Sequence, residues 1–292
     1  MTPIRRLPAS KISALISDVD GTLVTEEKVL TEGTRTAVAE LRARGIAFAI
    51  ISSRPPRGLR MLIEPLEITT PLAGFNGGVL ATPELSVIEQ HLLPPEIARR
   101  TVDLISAHGA RTWVFSGQDW LVRDPSDPYI GREERAVQFR PIVVEDFGRA
   151  LEITSKIVGV SDDFALLARC EGEARAMLAD GASVARSQRY YLDITHPLAN
   201  KGAAVLALSK RLAIPMAEIA VIGDGGNDVA MFKQSNFSIA MGNASPDVQK
   251  QARFVTASNE DDGFAKAVER YVLGAGTEMS SEPSSRSTRA RT

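Results

Sequence analysis

Two short acidic segments stand far apart in the chain: Asp18-Val19-Asp20-Gly21-Thr22-Leu23 and Gly223-Asp224-Gly225-Gly226-Asn227-Asp228. Each follows an apolar run, residues 12–16 and 219–222, that reads as a buried strand. Carboxylates at the end of a buried strand are costly unless something pairs them. A divalent cation and a phosphate would do so, and the chemistry they imply is magnesium-assisted phosphoryl transfer.

The roles divide by residue type. Asp18 and Asp20 alternate along one strand end and project from the same edge of a sheet. One can attack phosphorus while the other handles the proton of the leaving group. Gly21 permits a sharp turn just after the pair. Magnesium usually takes one or two carboxylates together with phosphate oxygens. Asp18 and Asp224 are the natural carboxylate ligands, with the backbone carbonyl of Asp20 as a third donor. Ser52 closes another apolar run and offers a hydroxyl and a backbone N–H to phosphoryl oxygens. Lys201, in Asn200-Lys201-Gly202, opens a helix where an anion is already favoured. Its ammonium is expected between Asp18 and the phosphate, anchored by Asp228. A calcium loop is the competing reading of the first segment, but Val29 stands where such a loop needs its bidentate Glu. Taken singly, Ser52 reads as a loop serine and Lys201 as a solvated lysine. Their order and their places at strand ends carry the argument.

The elements that must hold these residues alternate between strand and helix. Residues 31–44 form a helical pattern with Gly45 as its stop, 46–51 an apolar strand, and 71–75 a short third strand before Asn76-Gly77-Gly78. Pro55-Pro56 suits a helix start. The rhythm predicts a parallel sheet covered by helices, and in such sheets ligands bind beyond the carboxyl ends of the strands. Residues 86–188 differ. Helical patterns at 95–107 and 162–178 sit among strands near 111–115, 156–160 and 182–186, and both tryptophans, Trp113 and Trp120, fall here. This stretch is expected to be an α+β domain inserted between core halves 1–85 and 189–273, with residues 190–195 as the strand that returns to the core. The Ser-, Thr- and Arg-rich stretch 274–292 reads as a disordered tail.

Composition excludes several classes. The 292 residues carry a net charge of -2, so nothing marks a nucleic-acid partner. A single cysteine, Cys170, rules out a disulfide framework. His91, His108 and His196 lack metal-ligand spacing. No apolar run reaches the ~18 residues of a membrane span, and a cytoplasmic location is expected. Oligomeric state is left open.

These motifs together resemble the haloacid dehalogenase-like hydrolases, in their Cof-type, class IIB branch. Asp18 to Leu23 match the first motif of the family, Ser52 the second, Lys201 the third and Gly223 to Asp228 the fourth. Further echoes are Asn76-Gly77-Gly78, Met241-Gly242-Asn243-Ala244 and Asn259-Glu260-Asp261-Asp262-Gly263. The resemblance implies an α/β fold: a Rossmann-like parallel-sheet core with an inserted α+β cap of the C2 type. It implies Asp18 as the nucleophile that forms an aspartyl-phosphate, and Asp20 as general acid and then base. Ser52 and Lys201 would bind the phosphoryl group, and Asn227 and Asp228 would support the site. The second motif departs from the common Thr-Gly-Arg; here it is Ser52-Ser53-Arg54, which keeps the hydroxyl.

The cap of this branch closes over the core and contacts the leaving group. Gly21, Ser53, Arg54, Asn76, Gly77, Trp120 and Arg123 are therefore candidate substrate contacts. Trp113, Asp119 and Tyr129 lie in the same cap cluster, where a Trp face can stack on a sugar or flat ring, or else simply fill the domain's core. Arg54 and Arg57 can reach a second anionic group. The expected activity is a magnesium-dependent phosphatase for small phosphorylated metabolites. Sugar phosphates are favoured over cofactor-like phosphates. A sugar phosphomutase and a non-catalytic metabolite sensor are the alternatives.

Overall fold

The computed structural model describes residues 11–274. The tail expected over 274–292 falls, but for Gly274, outside the described residues. Five strands form an all-parallel sheet in the order Phe254–Val255, Phe237–Ala240, Ile219–Gly223, Ala14–Ser17, Ala47–Ile50. The central strands are apolar on both faces, as a sheet covered on both sides requires. Leu15, Phe48, Ile50 and Ile222 join one core cluster with Val38 and Leu41 of helix Glu32–Ala43. Ala14, Ile16, Ala49 and Val221 join the other with Val205 and Leu208 of helix Lys201–Leu212. Thr31 caps the first of these helices, accepting from the Thr34 N–H.

A three-stranded antiparallel sheet, Leu72–Gly74, Val79–Ala81 and Val87–Gln90, adjoins this core through a bridge between Ile51 and Ala73. Beyond it stands a six-stranded sheet in the order Ser183–Gln188, Tyr191–Thr195, Thr154–Val160, Arg111–Ser116, Asp119–Val122, Ile142–Val143. One face packs on helices Pro95–Ala107 and Phe164–Leu178 through Val114, Ile157, Leu192 and Ile194. The opposite face carries Trp113, Phe115, Trp120, Val158 and Tyr191, and these pack with Phe75 and Val79 of the core side.

The strand read as returning to the core does not do so. Tyr191–Thr195 lies inside the six-stranded sheet, antiparallel to both Ser183–Gln188 and Thr154–Val160. Its alternating residues fill both faces of that sheet, which buries them as fully as a core strand would be buried. Helix Ile130–Val137 was not anticipated, because only Val137 of it is buried.

Candidate active site

Four strand ends stand side by side at the carboxyl edge of the parallel sheet. Across the pairs Ala47–Ile50, Ala14–Ser17, Ile219–Gly223 and Phe237–Ala240, the chain emerges as Ser52, Asp18, Asp224 and Asn243 in turn. Neighbouring strands lie ~4.8 Å apart, so these side chains meet by construction. The Asp18 N–H still belongs to the sheet and donates to the Ile222 carbonyl at 2.9 Å.

Lys201 is the hub. It is 1% exposed, and its Nζ donates to Asp18 Oδ1 and, at 2.5 Å, to Asp228 Oδ1. Burial works against the ammonium, but the Asp18 and Asp228 carboxylates outweigh it and hold its pKa above the usual lysine range. Asn200 caps this helix, accepting from the Ala203 N–H at 2.9 Å, and so fixes where Lys201 leaves the backbone. Asp228 Oδ2 accepts from the backbone N–H groups of Asp224 and Gly225 at 2.9 and 2.8 Å. Asp228 thus shapes the loop that carries Asp224 and anchors Lys201 at once.

Asp18, Asp224 and Asp228 bring carboxylate oxygens within 4.8 Å of one another. One buried ammonium faces this cluster, so negative charge is in excess. Burial pushes Asp18 well above the usual carboxylate range, against the pull of Lys201. Burial and the nearby Asp228 push Asp224 up to about 6, opposed by Lys201 and the Thr22 hydroxyl. Both oxygens of Asp228 are held by close donors at 2.5 to 2.9 Å, whereas Asp224 accepts from Thr22 and Asn243, each at 3.2 Å, so Asp18 and Asp224 are the carboxylates a cation could take most readily. A hard cation that takes one or two carboxylates fits that donor set. Gly21 leaves room for it: its φ is +79°, and a Cβ there would stand 2.3 Å from Asp224 Oδ2.

Asp20 is held differently. Arg54 donates to its two oxygens, Nε and Nη2 each at 2.7 Å, and Lys28 lies 2.8 Å from Oδ1. Burial opposes the charge, but Arg54 and then Lys28 bring the carboxyl down to about 2. In this arrangement Asp20 is an ionised base, and it can act as an acid only after Arg54 lets go. Arg54, expected as a substrate contact, is paired with Asp20 in this structure.

The Ser52 hydroxyl accepts from the Arg54 N–H at 3.1 Å, while the Ser52 N–H is taken by the Ala73 carbonyl at 2.9 Å. The N–H that Ser52 was expected to offer is thus in use. That of Ser53 has no acceptor among the described residues. Asn76 and Asn227 meet, with the Asn227 side chain donating to Asn76 Oδ1 at 3.0 Å. Gly77, at φ +100°, lets the loop lie on Ala204, whose Cβ would be 2.6 Å from an added one.

The remaining cap candidates are held by neighbours on the six-stranded sheet and its loops. Trp120 is 0% exposed, enclosed by Trp113, Phe115 and Phe139, with centroids at 4.9, 5.9 and 6.5 Å. It has no open face for a ring to stack on. Arg123 covers the Phe147 ring at 4.6 Å and lines a surface cavity with Arg111, Asp124 and Asp127. Trp113 donates to Asp127 at 2.9 Å, and Tyr129 donates to Asp162 at 2.7 Å. Arg57 lies over Phe139 at 4.4 Å and 4.0 Å from Asp119.

Two contributors had no role in the sequence reading: Asn243, named there only within the Met241-Gly242-Asn243-Ala244 echo, and Lys28. Asn243 donates to the Gly21 carbonyl at 3.0 Å and to Asp224 Oδ2 at 3.2 Å. Its position just past a strand end was the available signal. Lys28 gave none, since it reaches Asp20 from an irregular segment at φ +63°.

With this geometry in hand, the comparison with known proteins is decisive. A family model for haloacid dehalogenase-like hydrolases matches residues 15–268. The chain belongs to that family. It is 25% identical over 271 residues to a 5-amino-6-(5-phospho-D-ribitylamino)uracil phosphatase of Bacillus subtilis, covering 90% of this chain and 96% of the relative. A haloacid dehalogenase-like hydrolase from Bacteroides thetaiotaomicron superposes with a TM-score of 0.82 at 26% identity, over 89% of this chain and 99% of that one. A subclass IIB sugar phosphatase shares the fold, with a TM-score of 0.79 at 23% identity, over 90% and 99% of the two chains. The chain is an enzyme of the phosphatase kind in this family. Among the described residues, no helix is long and apolar enough to cross a membrane.

Proposed function

We propose that this protein is a magnesium-dependent phosphatase for small phosphorylated metabolites. Asp18, held by Lys201 beside Asp224, is the observation that carries the reading. Asp18 attacks phosphorus and the ester oxygen leaves, forming an aspartyl-phosphate. Once Arg54 has let go and Asp20 has taken up a proton from solvent, Asp20 delivers it to the leaving oxygen, then takes one from the water that hydrolyses the intermediate. Ser52, the Ser53 N–H and Lys201 hold the phosphoryl oxygens. Magnesium, held by Asp18, Asp224 and the Asp20 carbonyl, would screen the nucleophile from the phosphate charge. Asn227 and Asp228 support the loop.

The part built on the six-stranded sheet acts as the cap. Because Val87–Gln90 pairs with the core side and Tyr191–Thr195 with the cap sheet, we place the two junctions near His91 and His196. The sequence pattern alone puts them at 85/86 and 188/189. A closing cap suits a small substrate in the cytoplasm, with neither nucleic acid nor membrane as partner. Sugar and polyol phosphates lead, in keeping with the ribityl phosphate and the sugar phosphates named for two relatives. The test is phosphate release from a panel of sugar, nucleotide and cofactor phosphates with and without magnesium. Magnesium-dependent release from one class supports the reading. Phosphate moved within a sugar by way of a bisphosphate, with none released, would make the protein a mutase instead.

A further inference from the structure

A polar group interrupts the aromatic face that the six-stranded sheet turns toward the core. Lys156 and Asp193 lie on that face, since they alternate with Ile157 and with Leu192 and Ile194, which fill the other. Their side chains pair at 2.7 Å and are 12% and 9% exposed. Tyr191 shares the face. Phe115, which pairs with Lys156 in the sheet, touches Phe75 with ring centroids 5.5 Å apart. The Phe75 N–H in turn donates to the Arg54 carbonyl at 2.8 Å, and the Asn76 N–H to that of Ser52 at 2.7 Å. The polar group therefore borders the loop expected to hold the phosphoryl oxygens.

Pairing between Lys156 and Asp193 uses one carboxylate oxygen. Asp193 Oδ1 and the Tyr191 hydroxyl are both buried and have no hydrogen-bond partner among the described residues. Each unmet buried polar atom costs stability, and a hydroxyl-bearing ligand would meet both of these. Glu133 is half-buried one turn before Val137 on the same face of helix Ile130–Val137, and that helix sits on segment Pro56–Leu59 where Gly58 meets Val137. Burial raises the Glu133 carboxyl; Lys156 opposes this, while Asp193 and Asp20 reinforce it. Glu133 thus feels both the cap pair and the Asp20 proton donor.

Resting on the phosphatase reading above, we propose that Asp193, Lys156, Tyr191 and Glu133 form the leaving-group pocket and select an uncharged, hydroxyl-rich alcohol. Asp193 Oδ1 and Glu133 accept from hydroxyls, and the Tyr191 hydroxyl can donate or accept. Anionic leaving groups are rejected by charge. Two carboxylates face one ammonium, Asp193 already occupies that ammonium, and Arg54 and Lys28 are committed to Asp20. Arg132, exposed over the Tyr190 ring at 5.1 Å, makes no ion pair among the described residues, so a second phosphate or a carboxylate would have only this solvated charge to pair with.

The experiment measures kcat/KM with magnesium for sorbitol 6-phosphate, fructose 1,6-bisphosphate and p-nitrophenyl phosphate, in the wild type, Asp193→Asn, Glu133→Gln and Tyr191→Phe. The wild type should prefer sorbitol 6-phosphate to the bisphosphate by at least about tenfold, the worth of one good contact. In Asp193→Asn the ratio of sorbitol 6-phosphate to p-nitrophenyl phosphate should fall about tenfold, mainly through KM, and the discrimination against the bisphosphate should narrow. Equal use of both sugar phosphates by the wild type, or unchanged ratios in all three variants, overturns the pocket. If p-nitrophenyl phosphate and every other ester stay intact, the phosphatase reading fails by itself. Calorimetric binding of sorbitol 6-phosphate against the bisphosphate to Asp18→Asn then decides the pocket independently.

Discussion

Replacing Lys201 by Met tests how the site keeps its buried carboxylates. The side chain is 1% exposed and bridges Asp18, 5% exposed, and Asp228, 0% exposed. Removing one partner of a buried ion pair typically costs ~3–5 kcal/mol, because the remaining charge stays buried. Asp228 keeps the two backbone N–H donors on its second oxygen, so its share of the loss is cushioned. Asp18 has no comparable reserve. The expected loss therefore lies at the lower end, about 3 kcal/mol at pH 7.5. For a chain of this size that is a fall in Tm of roughly 6–12 °C. The deficit should shrink as pH is lowered toward 5. Asp18 has a raised folded pKa, so its proton binds more readily to the folded state, and its contribution to stability grows as pH falls. Adding Asp228→Asn to Lys201→Met should recover part of the loss, and magnesium should stabilise the single variant more than the wild type. The assay is chemical denaturation at pH 7.5 and pH 5, with and without magnesium. A variant within about 0.5 kcal/mol of wild type at pH 7.5 would refute the idea that Lys201 compensates buried charge, since ordinary surface substitutions cost no more than that.

Gly21→Ala should abolish magnesium-dependent turnover while costing little in secondary structure. Its φ of +79° strains any side chain, and its Cβ would stand 2.3 Å from Asp224 Oδ2; circular dichroism beside a phosphate-release assay checks both parts. The metal-free protein should lose stability as pH rises from about 4 to about 6. Asp224, raised to about 6, sheds its proton later in the folded state, and magnesium should stabilise most above that pH; melting curves across the range read this. Arg54→Gln should cost up to about 2 kcal/mol at neutral pH, since Asp20 sits near 2 rather than 3.8. A depressed acid stabilises above its unfolded pKa and loses that contribution as pH falls toward about 2, so the cost should be full at pH 7 and smaller near pH 3.5.

The core was legible because its chemistry is written locally. A largely apolar run leading to Asp18 or Asp224 announces both a doubly covered strand and what stands at its end. Asn200 before Lys201 announces a helix start. Partnership between strands is written nowhere locally. Tyr191–Thr195 has the apolar content of a core strand, and only its pairing with Thr154–Val160 shows which sheet it joins. The cap's polar group was hidden for the same reason. Lys156, Asp193 and Glu133 come from separate elements and look like surface charges until the sheet face is seen. Trp120 drew attention as a large aromatic ring, yet Trp113, Phe115 and Phe139 close around it. Arg54 was legible as a functional residue, but its partner Asp20 was visible only in the fold.

The central claim is that Asp18 is the nucleophile. Mass spectrometry of protein quenched in acid during turnover of a phosphate ester with magnesium tests it most directly. The account predicts an added phosphoryl group on the peptide containing Asp18, absent from Asp18→Asn, which should remain folded and release no phosphate. Magnesium-dependent turnover by Asp18→Asn, or a phosphoryl group carried on another residue, would contradict it.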